Sequence, residues 1–358
     1  MIPRVLTIAS SDSGGGAGIQ ADLKAFARCG AHGMSAIVAL TAQNTLGVTS
    51  IAEQSAEFVR DQIRAVLDDI GADAAKTGML FSSAIIEAVA DELTGRGLPL
   101  VVDPVMVASS GSRLLLPDAV ATLIGRLFPL ATVVTPNLPE AQALTGLDTE
   151  ERAVLAERLV AMGAGAALVT GGHGATPADH LFDGRTHLAI PVARHDIAAT
   201  HGAGCTHSAA LAAGLAAGLS LTEAARQAAA VAGDAVAHGL AGLGAGDGPV
   251  HVLYCLRGSD PPAPPGTGGL RPPVSPPRKD AAKTTAPPAL WLRLRLCGCC
   301  SRQRKGRAAL RGGCGYGTLP RRQMSFEVPV FSGDQRIQSW LRKSSASLQI
   351  QIVWSSRR

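Results

Sequence analysis

The chain has 358 residues, enough for one large α/β domain or two ordinary domains with a sizeable core. Residues 1–254 hold 14 Lys and Arg against 24 Asp and Glu, a balance of −10, whereas residues 255–358 hold 19 against 4, a balance of +15. The basic character therefore belongs to the C-terminal part and gives no reason to class the rest as a nucleic-acid binder. Only Cys29 and Cys205 of the seven cysteines lie in the first 254 residues, which fits a reducing compartment and excludes a disulfide framework.

The sequence contains no targeting segment that the usual patterns detect. Met1–Arg4 runs directly into a strand-like stretch, so no signal peptide is predicted. The apolar stretch Ala209–Leu219 is rich in Ala and Gly and is shorter than the roughly 20 residues that span a bilayer. We therefore expect a cytoplasmic protein that does not interact with membranes.

The first elements are a strand, a glycine-rich loop and a helix. Val5–Ala9 is a short apolar stretch typical of a buried parallel strand, and it leads into the loop 10–18 and a helical pattern over Ile19–Cys29. The loop has neither the dinucleotide fingerprint nor the Gly-Lys-Ser/Thr of a P-loop. Asp22 and Lys24 lie in the first turns of this helix, where a solvated face is the alternative to a role in ligand binding.

The same design repeats along the chain. Further strands are predicted at Ala36–Leu40, Ala74–Met79 (a strand and turn), Leu98–Val102, Thr132–Val134 and Ala166–Val169, with helices at Ala56–Ile70 and Ile85–Leu93. Each strand ends in a polar or glycine-rich loop. This alternation predicts a parallel sheet with one ligand-binding edge.

Three of these loops carry candidate site residues. Gln43 is placed to hydrogen-bond a heteroaromatic ring through its amide, although a loop amide bonded to its own backbone is an equal alternative. Asp103 at a strand end indicates a metal or polar ligand, with helix capping as the alternative. Asn137 and Glu140 share one face of a helix start, where they either bind a ligand or form a capping box.

A hairpin with its turn at Asp183-Gly184 is predicted over Leu181–Ile190, and a second glycine-rich turn, 200–208, follows it. This turn opens a helix over Ala209–Ser220, and a further helix is predicted at Leu221–His238. Unpaired N–H groups at the helix start favour an anion such as phosphate, and the helix end should lower the pKa of Cys205. A tight connection without a ligand is the alternative.

The sequence changes character beyond residue 256. It is rich in proline up to Pro288 and then basic, so we predict a folded domain at 1–256 and a disordered tail at 257–358. The tail cysteines lack paired Cys-x-x-Cys spacing, which argues against zinc. Its tryptophans are scattered, which argues against nucleic-acid binding by stacking.

These motifs together resemble those of one family. Residues 4–254 are similar to the hydroxymethylpyrimidine/phosphomethylpyrimidine kinases of thiamine biosynthesis, in the ribokinase-like superfamily. The motifs that carry the resemblance, in matching order and spacing, are IASSDSGGGAGIQADLK (8–24), TAQNT (41–45), KTGML (76–80), VDPVMV (102–107), TPNLPEA (135–141), GGH (171–173), HGAGCTHS (201–208) and GDGPV (246–250).

The resemblance implies a three-layer α/β/α fold with a mostly parallel central sheet, and a homodimer. It implies that ATP and Mg²⁺ serve to phosphorylate 4-amino-5-hydroxymethyl-2-methylpyrimidine and then its monophosphate. The alternatives are a pyridoxine or pyridoxal kinase, and a pyrimidine-binding protein that has lost catalysis. Cys205 and the TAQN stretch favour the pyrimidine, and the intact glycine-rich turn favours catalysis.

The resemblance also assigns residues by motif. Gln43 would contact the pyrimidine ring in a pocket completed by Asp22, Met79 and Val105. The catalytic anion hole would comprise Gly202, Ala203, Gly204 and Cys205, with Cys205 where most of the superfamily has an aspartate base and Ala203 where threonine is usual. Nucleotide contacts would come from Asn137, Glu140, Thr170 and Gly172, with Glu140 also organising the metal. Thr170 stands where lysine is common.

Overall fold

The computed structural model describes residues 1–106, 114–116, 118–172, 177–256, 290–295 and 325–330. The chain divides into two compact units, Met1–Gly266 and Thr267–Arg358. The unit boundary lies ten residues beyond the domain boundary predicted at 256. Among the described residues, none of the helices has both the length and the apolarity needed to cross a membrane.

The first unit is built on one sheet of nine strands in the order β3-β2-β1-β4-β5-β6-β7-β8-β9. Strands β2, β1, β4, β5, β6 and β7 pair in parallel, whereas β3 at one edge and β8 and β9 at the other are antiparallel. The strands are β1 (Arg4–Asp12), β2 (His32–Asn44), β3 (Gly47–Glu53), β4 (Ala74–Thr77), β5 (Leu100–Val102), β6 (Val133–Val134), β7 (Ala167–Val169), β8 (Ala178–Phe182) and β9 (His187–Pro191).

Helices cover both faces of this sheet. They are α1 (Gly18–Arg28), α2 (Ala56–Asp69), α3 (Ser83–Leu93), α4 (Ala119–Thr122, continued by a π-helical and a 3₁₀ turn to Leu130), α5 (Leu138–Thr145), α6 (Arg152–Ala161), α7 (Ala203–Ala216) and α8 (Leu221–Ala237). One buried apolar cluster joins the sheet to α2–α6, and a second joins it to α1, α7 and α8. The three-layer α/β/α prediction is thus confirmed.

The strand sequences explain this layering. In β1, Leu6 and Ile8 belong to the first cluster and Val5 to the second, because alternate side chains of a strand point to opposite faces. A strand buried on both faces reads as a continuous apolar stretch, which is how β1 was predicted. In α7, Thr206–Gly214 are all buried, so the Ala- and Gly-rich sequence fits a helix packed between α1, α8 and the sheet.

Local signals fix where several helices begin. Ser55 and Ser82 accept hydrogen bonds at the starts of α2 and α3. Asn137 with Glu140 and Ser220 with Glu223 form capping boxes at α5 and α8. Serine or asparagine thus satisfies N–H groups that a helix start leaves without a backbone partner.

Some elements differ from the sequence-based prediction. Strand β3, the helical segment Ala119–Leu130 and helix α6 were not predicted. β3 is a half-exposed edge strand that is identified by its pairing with β2. Gly125 and Pro129 break the helical sequence pattern of the segment Ala119–Leu130. The hairpin of β8 and β9 is confirmed, with Asp183 accepting from the N–H groups of Arg185 and Thr186 in its turn.

The residues of the second unit that the structure describes form an antiparallel pair, β10 (Leu290–Arg295) and β11 (Ser325–Val330). No regular structure was predicted in this part of the chain, so the pair is a difference from the prediction. Both segments alternate partly between apolar and other residues, a period that favours strands. Other residues of the tail lie outside the described ones, and disorder there stays a prediction.

Candidate active site

A cavity of about 770 Å³ opens at the carboxyl edge of the parallel strands. Eleven of the twelve predicted site residues line it: Gln43, Met79, Val105, Asn137, Glu140, Thr170, Gly172, Gly202, Ala203, Gly204 and Cys205. They come from the carboxyl end of β2, from the loops after β4, β5, β6 and β7, and from the first turns of α5 and α7, as the predicted single edge requires. His173 and Val107, which belong to the quoted motifs, lie outside the described residues.

The start of α7 has the geometry of an anion-binding turn. Gly202 has φ +86°, and a Cβ there would overlap the carbonyl oxygen of Gly16, so the position requires glycine. The N–H of Ala203 donates to Thr200 O at 3.0 Å, whereas those of Gly204 and Cys205 have no partner among the described residues. Two N–H donors of a helix N-terminus are therefore left for a ligand in the cavity.

Cys205 lies at this turn, partly exposed on the cavity wall. Burial of its thiol raises the pKa to about 12, although the nearby Lys76 ammonium and the Gly18 N–H lower it. The prediction of a lowered pKa was therefore wrong. The prediction considered only that a helix N-terminus lowers the pKa of a thiol. It omitted the loss of water around the sulfur and the repulsion from the carboxylates of Asp103 and Asp22, both of which raise this pKa.

Beneath the turn lies a fully buried ion pair. Lys76 Nζ is 2.8 and 3.0 Å from the two oxygens of Asp22, and neither side chain has any exposed surface. Thr7 Oγ1 donates to Asp22 at 2.6 Å. Burial alone would lower the pKa of Lys76, but attraction by Asp22 and by Asp103, 3.8 Å away, outweighs it and raises the pKa. Lys76 is therefore a cation held below the cavity.

This pair corrects one interpretation of Asp22: its carboxylate is wholly enclosed, so it does not lie on a solvated face. Asp22 is not among the residues that line the cavity, and its role in substrate binding stays a prediction. Lys76 itself lines the cavity and was quoted only as part of a motif. No local signal reveals the pair, since its members are 54 residues apart in sequence.

A second acidic group lies between β5 and α5. Asp103 accepts from Ser208 Oγ at 2.8 Å, so it ties α7 to the sheet rather than capping a helix. Glu140 forms the capping box with Asn137 and also lines the cavity, so the two interpretations of this pair are compatible. Burial, and then the charge of Asp103, raise the pKa of Glu140 to about 8.

The carboxylates of Asp103 and Glu140 suit a cation that takes only some of its ligands from the protein. Among the described residues, no group of three or more His, Cys, Asp or Glu side chains has metal-binding geometry. Mg²⁺ commonly keeps several waters and binds through one or two carboxylates together with substrate phosphates. Glu140 beside Asp103 fits that mode and does not fit a closed protein cage.

Gln43 lies at the carboxyl end of β2 and lines the cavity. Its Oε1 accepts from Thr41 Oγ1 at 3.0 Å, and its Nε2 is 3.4 Å from His201 Nε2. His201 in turn lies 2.9 Å from Asp12, whose carboxylate accepts from the N–H groups of residues 14, 16 and 17. The Gln43 side chain is thus oriented by other side chains and not by its own backbone.

Asp12 joins the two glycine-rich loops and was not singled out in the sequence. Its burial would raise the pKa, but the bonds from His201, Ala17 and Gly14 outweigh this and lower it, so Asp12 is an anion. His207 and Asp179, also lining the cavity, form a second pair that is described below. The signal for Asp12 was a carboxylate at a strand end before a glycine-rich loop.

The remaining predicted residues form the walls. Met79 is 5% exposed and, with Val105, adds apolar surface to the cavity that Gln43 also lines. The N–H of Thr170 donates to Pro136 O at 3.0 Å, which holds the loop after β7 against the loop after β6. Small residues of α8, namely Ala229, Ala232 and Val236, line the same cavity.

Comparison with known proteins agrees with this geometry. The sequence pattern of the phosphomethylpyrimidine kinase family matches residues 12–251. A hydroxymethylpyrimidine/phosphomethylpyrimidine kinase of Rhizobium meliloti (strain 1021) is 51% identical over 256 residues, which are 70% of this chain and 96% of that protein.

Solved structures agree as well. A phosphomethylpyrimidine kinase of Clostridium difficile 630 has 39% identity and a TM-score of 0.57, with 64% of this chain and 96% of that one covered. A pyridoxal kinase of Bacillus subtilis, in its ADP complex, has 36% identity and a TM-score of 0.66, with 72% and 100% covered. The predicted fold and family are confirmed: the chain belongs to the phosphomethylpyrimidine kinase family, whose members are phosphotransferases.

Proposed function

We propose that this chain transfers the γ-phosphoryl group of ATP to the hydroxymethyl oxygen of 4-amino-5-hydroxymethyl-2-methylpyrimidine, and then to the phosphate of the product, as a step of thiamine biosynthesis. In the first reaction the hydroxymethyl oxygen forms the new P–O bond, ADP leaves and the hydroxyl proton is released. The observation that carries the proposal is the anion turn: free N–H groups at Gly204 and Cys205 lie beside a thiol in a cavity.

The residues that line the cavity divide the work of such a transfer. The catalysis of phosphoryl transfer is mainly positioning and charge stabilisation. The N–H groups of Gly204 and Cys205 would stabilise the transferred group, and the Lys76 ammonium adds positive charge from below. Glu140, positioned by the capping box with Asn137 and lying near Asp103, would hold Mg²⁺, which when bound neutralises charge on the phosphates.

Cys205 would accept the hydroxyl proton. Because its pKa is about 12, the thiol is protonated in the empty site, and it must lose its proton to water before it can accept the hydroxyl proton. The acceptor is strongly basic once it is ionised. Lys76, the nearest cation that lowers this pKa, is therefore part of the proposed machinery.

The pyrimidine and the nucleotide would occupy different parts of the cavity. Gln43, with donor and acceptor in one amide, suits the amino group and ring nitrogen of an aminopyrimidine, between apolar Met79 and Val105. Small apolar residues of α8 suit the adenine ring, and the loop at Thr170 and Gly172 suits the phosphates. The homodimer and the cytoplasmic location stay predictions.

A coupled assay of ADP release tests the proposal. The substrates are the hydroxymethylpyrimidine, its monophosphate, pyridoxine and pyridoxal, with the Cys205→Ala variant as the control for contaminating kinases. We expect the highest kcat/KM with the two pyrimidines. Equal or higher kcat/KM with pyridoxal would instead assign a pyridoxal kinase. Pyrimidine binding in calorimetry without ADP release would assign a binding protein.

A further inference from the structure

The cavity holds a buried imidazole to which neither the motifs nor the family resemblance gives a role. His207 lies one turn into α7 and lines the cavity, with only 5% of its surface exposed. Its Nε2 is 2.9 Å from Asp179 Oδ2, and Asp179 is 2% exposed. Its Nδ1 is buried and has no hydrogen-bond partner among the described residues.

Asp179 decides which nitrogen of His207 remains available. The second oxygen of Asp179 accepts from the N–H of Gly171 at 2.6 Å. Burial would raise the pKa of Asp179, but the attraction of His207 and the bond from Gly171 outweigh it and lower the pKa. A carboxylate only accepts hydrogen bonds, so His207 donates from Nε2. The unpartnered nitrogen is therefore Nδ1.

The pair also fixes the loop after β7 in place. Strand β8 runs antiparallel to β7, so its first residues lie at the carboxyl edge of the parallel strands. A Cβ at Gly171 would overlap the backbone of Ala178, so this loop packs directly on the start of β8. Asp179 thus joins α7 to the loop of Thr170 and Gly172 through one carboxylate.

The position of His207 on α7 relates Nδ1 to the anion turn. Helical side chains lean toward the N-terminus and cover the preceding turn. The preceding turn of α7 contains Gly204, three residues before His207, with its free N–H. A buried polar atom without a partner is unfavourable, and its presence at a ligand cavity indicates a partner that arrives with the ligand.

We propose that His207 is a nucleotide-binding residue, donating from Nδ1 to a phosphate oxygen of the phosphoryl donor, with Asp179 as its positioning partner. This inference rests on the proposed kinase function. Nδ1 takes up a proton from water as the phosphate binds, and the ring then lies between two anions, the carboxylate and the phosphate. It supplies positive charge at a loop where Thr170 supplies none.

Two isosteric variants separate the two nitrogens of this ring. In His207→Gln the amide nitrogen replaces Nε2 and keeps the bond to Asp179, while the donor at Nδ1 is lost. In His207→Asn the amide nitrogen replaces Nδ1, and the bond to Asp179 is lost. His32→Gln, a change at an exposed histidine at the start of β2, is the matched control.

The experiment is calorimetric titration of the full chain with ADP and, separately, with adenosine, which lacks phosphate. We expect His207→Gln to weaken ADP binding about 10- to 100-fold, as loss of one hydrogen bond to a charged group does. His207→Asn should retain most of the ADP affinity, and adenosine affinity should be unchanged in both. In turnover, KM for ATP should rise in His207→Gln while KM for the pyrimidine stays constant.

Other results would overturn the assignment. Unchanged ADP affinity in His207→Gln would show that Nδ1 makes no contact with the nucleotide. An equal loss for adenosine would place the contact at the ribose or base, or show a general disruption of the site. A wild-type chain that binds ADP through His207 but phosphorylates no substrate would refute the proposed function and leave this inference standing.

Discussion

Replacement of Lys76 by methionine would test the buried ion pair beneath the anion turn. The variant leaves the Asp22 carboxylate enclosed, with the Thr7 hydroxyl as its remaining donor among the contacts described. Removing one partner of a buried pair costs about 3–5 kcal/mol in the free energy of unfolding. For a domain of this size that loss lowers the melting temperature by roughly 6–20 °C.

Urea denaturation followed by circular dichroism measures this change in stability. The matched control is Arg96→Met, which removes a cation 2.8 Å from Asp68 in a pair with 34% and 58% of the side chains exposed. Because solvent screens an exposed pair, that variant should lose no more than about 1 kcal/mol. The comparison isolates burial, since the two ion pairs have the same distance.

A double variant separates stability from chemistry. Lys76→Met combined with Asp22→Leu replaces the pair by apolar side chains, which is often neutral for stability. We expect recovery of most of the unfolding free energy but low kinase activity, because the loss of Lys76 raises the pKa of Cys205 by more than the loss of Asp22 lowers it. A single Lys76→Met variant within about 1 kcal/mol of wild type would refute the reasoning.

Further predictions concern the reaction and the boundary of the domain. Cys205→Ala should lower kcat by about 10²–10⁴-fold with little change in pyrimidine affinity. Retention of half the wild-type kcat would show that the thiol lines the cavity without acting as the base. Because ionisation of Cys205 has a pKa of about 12, kcat/KM at saturating MgATP should rise with pH from about 6 to 9, and a plateau below about pH 8 would contradict its role as base. Gln43→Leu should raise KM for the pyrimidine and leave KM for ATP unchanged, because leaving the ring group unpaired costs about 1–3 kcal/mol of binding free energy. An equal rise in both KM values would indicate a collapsed loop. Truncation after Tyr254 should leave a folded, active kinase, which melting temperature and kcat/KM at about 0.15 M salt would check; a loss above about 2 kcal/mol would show that the tail packs on the domain.

The sequence was most informative where chemistry is local. The apolar stretches ending in polar loops predicted the parallel sheet and its ligand-binding edge, so Gln43, Asn137, Glu140 and the turn at Cys205 were placed together. Edge strand β3 and helix α6 were missed, because partial exposure weakens the periodic pattern that reveals an element.

The electrostatics of the site could not be predicted in this way. Asp22 was predicted to lie in the substrate pocket or on a solvated face, yet from α1 it forms a buried ion pair with Lys76 of β4. The pKa of Cys205 was predicted with the wrong sign, because the amount of water around a thiol depends on the whole fold. The pairing of His207 with Asp179 likewise joins a residue of α7 to a residue of β8 that is 28 positions away in sequence, so no local pattern reveals it.

The contact between the two glycine-rich loops has a consequence for folding. Asp12 and His201 are 189 residues apart, and Gly202 rests on the backbone of Gly16, so the site closes only when both ends of the domain have met. Strands β1, β2 and β4 form from the first 77 residues, well before α7 emerges during synthesis. Contacts of such long sequence separation form slowly. In refolding, catalytic activity should therefore return after the helical signal, as the last sign of a completed domain.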